Sequence, residues 1–124
     1  MARSYHIDIA QDVVDADKKW VDNLLSHFHI SGVESARRGV PRRISTDGIY
    51  RIALIRQLTQ QLGLGAAASV SLAGHLLESP EGQLSFPFGL DLRLDRAFQI
   101  DIDRRIDSAV ESVTPVRRGR PTRR

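Results

Sequence analysis

Val21, Leu24, Leu25 and Phe28 recur at i, i+3, i+4 and i+7, the spacing of one buried helical face. A strand cannot bury that set, because successive strand residues point to opposite faces. The reverse side of the segment carries Lys18, Lys19, Asp22, Asn23 and Ser26, with Trp20 at the border. The same period predicts a helix over 6–14 with Ile7, Ala10, Val13 and Val14 inward. Asp15-Ala16-Asp17 then makes a tight turn, and Asp17 caps the helix over 18–28. Ile49, Ile52, Ala53, Ile55, Leu58 and Leu62 mark a third helix, opened by Ser45 or Thr46, with Asp47 in its first turn and Gly63 just past its end. Val70, Leu72, Ala73, Leu76 and Leu77 mark a fourth, over 66–78.

Between the second and third helices, Gly32, Gly39 and Pro41 punctuate a stretch bearing Arg37, Arg38, Arg42 and Arg43. It reads as a small hairpin or wing. Beyond Ser79-Pro80-Glu81-Gly82 the period changes to alternation: Leu84, Phe86 and Phe88, then Leu90, Leu92 and Leu94, a two-stranded hairpin whose first strand Pro87 confines to an edge. Alternation over Phe98–Ile102 allows another strand. The longer stripe of Phe98, Ile102, Ile106, Ala109, Val110 and Val113 favours a helix over 96–113, capped by Asp95. That stripe either completes the core or forms a two-fold interface.

At 124 residues the chain suits one compact domain with a flexible end. It has no cysteine, so disulfides, thiolate metal sites and thiol nucleophiles are excluded. No apolar run approaches the ~20 residues of a membrane helix, and Met1–Asp8 has no hydrophobic signal core. A cytoplasmic protein is expected. The net charge of +3 is unevenly spread. Residues 1–56 hold nine Lys/Arg against seven Asp/Glu, residues 57–115 hold four against eight, and residues 116–124 hold five arginines and no acid. Basicity is local, which points to particular polyanion-contacting parts.

Helix, tight turn, helix, arginine-bearing wing, helix, glycine, helix resembles the winged helix-turn-helix of the MerR-like family over residues 5–78. The residues that carry the resemblance are Ile9-Ala10 in the first helix, Ala16-Asp17 at the turn, Gly39-Val40-Pro41-Arg42-Arg43-Ile44-Ser45 at the wing end, and Leu62-Gly63-Leu64 before the fourth helix. The resemblance implies that Lys18–Asn23 faces a DNA major groove, with Lys18, Lys19 and Asn23 as the probing side chains, and that Arg42 or Arg43 contacts phosphate. This chain departs from the family in its C-terminal hairpin and its lack of cysteine, so metal sensing has no support. Residues 5–28 also hold five aspartates against two lysines, which leaves open a protein-binding use of the same scaffold.

The C-terminal Arg117-Arg118-Gly119-Arg120-Pro121-Thr122-Arg123-Arg124 contains Arg118-Gly119-Arg120-Pro121, which resembles the core of an AT-hook. Glycine lets the backbone press into a narrow minor groove, arginines follow the negative potential of A·T tracts, and proline keeps the chain extended. The alternative is a disordered basic tail that binds any polyanion or aids solubility. Arg37, Arg38, Arg42 and Arg43 suit phosphate because a guanidinium grips it through a planar fork; a solvated loop is the alternative. Arg51 and Arg56 read as a solvated helix face, and Trp20 as a core-edge anchor. His6, His27, His29 and His75 lack a matching carboxylate cluster and read as surface or capping residues. Asp101, Asp103, Asp107 and Glu111 beside Arg104 and Arg105 read as intrahelical pairs. No catalytic motif or phosphate loop is present, so neither an enzyme nor a metal or cofactor site is expected.

The expected architecture is mainly α with small β: a MerR-like winged helix-turn-helix over 1–78, a β-hairpin and C-terminal helix over 79–114 serving packing or dimerisation, and a basic disordered tail over 115–124. The expected function is non-enzymatic binding of double-stranded DNA in transcription regulation, nucleoid-associated, with a homodimer or a protein partner possible and no membrane. The alternatives are a protein-interaction module, such as a toxin-neutralising antitoxin or phage adaptor, and a non-specific nucleoid-type architectural protein.

Overall fold

A computed structural model describes residues 3–34, 39 and 42–118, with side chains described as far as residue 112. Local chemistry sets the first elements. His6 closes a three-residue strand, β1 (Ser4–His6), and opens α1 (Ile7–Val14) by accepting the Asp8 N–H on its Nδ1 at 3.2 Å. Asp15 ends α1 in the left-handed region, at φ +55, which turns the chain sharply. Asp17 Oδ1 then accepts the Trp20 N–H at 2.8 Å and starts α2 (Lys18–His27).

Past Ile30, the Glu34 N–H donates to the Arg43 carbonyl at 2.9 Å in β2 (Arg43–Ser45), which pairs antiparallel with β1 through Tyr5–Ile44. Val33 forms a bridge to the same Ile44, so Ile44 is held from both sides and is fully buried. Ser45 caps α3 (Thr46–Gln61), its Oγ accepting the Gly48 N–H at 3.1 Å, and Gly63 follows the helix at φ +66. The next helix, α4 (Ala66–Glu78), packs along α3. Arg51 clamps the pair, with Nε 2.9 Å from Asp47 and Nη2 3.4 Å from Glu78. Its side chain is only 14% exposed, so the solvated face expected for Arg51 is in fact a bridge between two helices.

The hairpin β3 (Gln83–Ser85) and β4 (Asp91–Arg93) pairs Leu84 with Leu92, and both leucines are half-buried against the core. Asp95 Oδ1 accepts the Ala97 N–H at 2.9 Å at the start of α5 (Ala97–Arg118). The strand allowed over Phe98–Ile102 does not form, because helical spacing brings Ile102, Ile106 and Ala109 together into the core. Packed against α1, α5 also sends Arg105 Nη1 to the Val13 carbonyl, at 3.2 Å, at the C-terminal end of α1. From Phe98 to Val110 the stripe therefore joins the core, and the Val113 side chain lies outside the described residues. The helix runs to Arg118, so residues 115–118, which the sequence assigns to the tail, are helical.

The described chain is thus mainly helical, with five helices and two small antiparallel pairs. No helix among the described residues is long and apolar enough to cross a membrane.

Candidate nucleic-acid interface

A helix that reads DNA must bury one side and leave the other clear. In α2, Val21, Leu24 and Leu25 are buried, whereas Lys18, Lys19 and Asn23 are exposed. Lys19 and Asn23 lie one turn apart on the side opposite the core. Lys18 opens the helix and is exposed. Three candidate residues are thereby brought onto one short helix.

Other candidates have different surroundings. Arg43 is exposed, but its Nη2 donates to the Ser4 carbonyl at 2.9 Å and its Nε to Ser4 Oγ at 3.3 Å. These bonds tie β2 to β1, so phosphate would compete with them. Arg42 is half-buried at the foot of the arm. Arg37 and Arg38 lie outside the described residues, as do Gly119, Arg120, Arg123 and Arg124. Arg117 and Arg118 belong to the last turn of α5. At 1.5 Å per residue, that turn stands ~13 Å along the axis from Ala109, the last buried residue described.

The described residues on either side of the wing sequence are closely packed. Gly32 takes φ +91, and its carbonyl accepts the Ser45 N–H at 2.8 Å. A Cβ at Gly32 would stand 2.5 Å from Ser45 Oγ and 2.6 Å from the Gly48 nitrogen. Only glycine allows the arm to lie this close to the start of α3. The sequence marks Gly32 as punctuation, but its pairing with Gly48 arises only in three dimensions.

Charge around α2 is mixed. Asp8, Asp12 and Asp15 line a shallow acidic surface on α1 together with Gln11. Asp17 is engaged in capping, which leaves Lys18 and Lys19 as the cations of a unit that is net acidic. The net charge of this unit does not by itself favour phosphate.

The remaining candidates have structural partners. Trp20 is half-buried, with the Arg56 guanidinium 4.7 Å from its ring centroid, so one face of the ring is occupied and Arg56 is no free surface cation. His6 caps α1, and His27 Nδ1 lies 2.8 Å from the Asn23 carbonyl. Among the described residues no three His, Cys, Asp or Glu side chains gather as a metal site. Arg105 pairs with Asp101 one turn away, as expected, but Asp103 accepts the Tyr50 hydroxyl at 2.5 Å.

An apolar groove escapes the sequence reading. It lies between the second half of α3, the β4–α5 junction and the first turns of α5, with a cavity volume of about 540 Å³. Leu54, Leu58, Leu62, Leu94, Phe98 and Ile100 line it. Its only sequence signal is Ile100, an isoleucine off the buried stripe of α5. Comparison with protein-family models, with curated proteins and with solved structures gives no match.

Proposed function

We propose that this chain binds duplex DNA as a MerR-like winged helix-turn-helix and regulates transcription by occupying its site, without catalysis. The observation that carries the reading is the short α1–turn–α2 unit, with Lys18, Lys19 and Asn23 exposed along α2, followed directly by an arm braced on α3. Lys18, Lys19 and Asn23 probe the major groove. Arg37, Arg38 and Arg42 neutralise phosphate, and Arg43 joins them only by giving up its bonds to Ser4. The five tail arginines supply most of the affinity and follow the minor groove of A·T tracts, placing the protein on the nucleoid.

Binding of the full chain to duplexes of varied sequence across a salt series tests each part. Replacing Arg117, Arg118, Arg120, Arg123 and Arg124 by Gln is expected to flatten log K against log salt by about 4–5. Lys19→Ala with Asn23→Ala is expected to reduce discrimination among sequences by roughly 1–3 kcal/mol with little change in salt slope. Unchanged discrimination in that pair sinks the major-groove reading, and a parent chain that shows no discrimination at all is a non-specific architectural protein. Equal binding to A·T-rich and G·C-rich duplexes removes the AT-hook component. The acidic surface of Asp8, Asp12 and Asp15 favours a second reading, a protein-interaction module such as an antitoxin or adaptor. Absence of any DNA affinity at low salt selects that reading.

A further inference from the structure

The turn between β3 and β4 is built by two residues. Pro87 supplies a fixed φ, and Gly89 supplies φ +84. The Gly89 N–H donates to the Phe86 carbonyl at 3.2 Å, and the Phe86 N–H donates to the Leu90 carbonyl at 2.7 Å. Nothing in this geometry requires an aromatic side chain at position 88. Yet Phe88 is 100% exposed, beside Leu90 at 59% and Phe86 at 38%. Single exposed apolar residues are ordinary, but three within five residues at one rigid tip form a patch.

The same hairpin forms a wall of the apolar groove, through Leu92 and Leu94 of its second half. Leu62 and Ile100, exposed by 52% and 60%, make the groove's lips. Tip and groove thus adjoin on one side of the molecule, and the tip does not fill its own groove. A surface that holds both a projection and a matching recess is self-complementary under a two-fold axis.

We infer that two copies of this chain associate about such an axis, each inserting its Phe88 tip into the groove of the other. Taking ~150–250 Å² for a large side chain, the exposed parts of Phe86, Phe88, Leu90, Leu62 and Ile100 amount to roughly 600 Å² per copy. Over two copies this reaches the lower bound of a stable interface, about 1,200 Å², before any of the groove floor is counted. Charge agrees. Residues 85–90 carry no charge, and Asp91 is the one acid beside the tip. The groove rim offers Arg104, which makes no ion pair or hydrogen bond among the described residues, whereas Asp101 is already paired with Arg105. Asp91 of one copy meets Arg104 of the other.

Sedimentation equilibrium of the full chain without DNA, over a micromolar to submillimolar series, tests this independently of the proposed DNA binding. The chain is expected to dimerise. Phe88→Asp and Ile100→Asp are each expected to raise the dissociation constant about 30-fold or more, as loss of a central aromatic or apolar anchor does. Both side chains are exposed in the single copy, so circular dichroism of the dilute variants stays as in the parent. An equal mixture of the two variants retains one intact tip–groove junction, since one variant keeps its groove and the other its tip. The mixture therefore associates more than either variant alone, whereas the double variant does not. A chain that stays monomeric throughout the series overturns the inference, even if the groove then takes a foreign apolar peptide. So does a dimer indifferent to Phe88→Asp, or a mixture no more associated than its components.

Discussion

Two antiparallel arms leave the helical body, and they are opposite in construction. The first, over residues 30–45, is deep at its foot: Ile44 is fully buried between Tyr5 and Val33, and Gly32 is pressed against Gly48. Arg37 and Arg38 follow this foot in the sequence and lie outside the described residues. The second, β3–β4, has a shallow foot of half-buried Leu84 and Leu92, and its apolar character increases toward the tip. Arginine works on phosphate at long range and needs placement more than fit, so its arm needs a stiff base. An apolar tip gains only by entering a recess, and it needs a partner surface of matching shape. The contrast supports the proposal that the first arm serves phosphate and the second a protein surface.

Core truncation at the two feet probes this contrast most strongly. Ile44→Ala should cost about 3–5 kcal/mol in urea unfolding, because a fully buried isoleucine leaves a cavity between two strands and α3. Leu92→Ala, half-buried, should cost about 1–2 kcal/mol, and Phe88→Ala close to nothing in dilute solution. Equal losses at positions 44 and 92 would erase the distinction between a deep and a shallow foot.

The glycines sharpen it further. Gly32 and Gly89 have nearly the same φ, +91 and +84, so alanine pays a similar backbone penalty of about 1–2 kcal/mol at each. At Gly89 the new methyl meets nothing within 4 Å, whereas at Gly32 it strikes Ser45 Oγ and the Gly48 backbone. Gly32→Ala should therefore cost roughly 2–4 kcal/mol and Gly89→Ala about 1–2 kcal/mol. Thermal unfolding midpoints of the two variants measure the difference directly. Similar midpoints would mean that the first arm moves away from α3 at little cost.

How far such features can be read from sequence depends on whether their causes are local. The stripe of Val21, Leu24 and Leu25 and the caps at Asp17, Ser45 and Asp95 are legible because each depends on residues within one turn. Ile9 is buried although it lies off the expected stripe, because α1 is packed by both α3 and α5 and its buried arc widens. Strand β1 has one inward residue, Tyr5, and no periodic signal to detect. The engagement of Arg43 with Ser4 and of Asp103 with Tyr50 joins residues 39 and 53 positions apart, beyond any local pattern. For the candidate interface, spacing gives the exposed face of α2. The groove is different, since its walls come from α3, α4, the β4–α5 junction and α5.

The platform under the second arm offers the smallest and most selective test. Tyr50 on α3 donates its hydroxyl to Asp103 on α5, and its ring lies 6.3 Å from Phe98, which lines the groove. Burial, and then the Asp103 carboxylate, push the phenol well above its ordinary range. The neutral phenol is thus favoured in the folded chain, and its stabilising contribution is complete below an unfolded pKa of about 10. Above that pH the unfolded chain sheds the proton more readily than the folded one, so the contribution declines as pH rises toward the folded value. Tyr50→Phe keeps the ring against Phe98 but has no proton to lose. Its stability should fall less steeply than the parent's between pH 9 and pH 11 in paired urea titrations. Parallel curves would show that Tyr50 does not hold α5 to α3 through that proton. The junction of α3 with α5 would then rest, among the described residues, on apolar contacts alone.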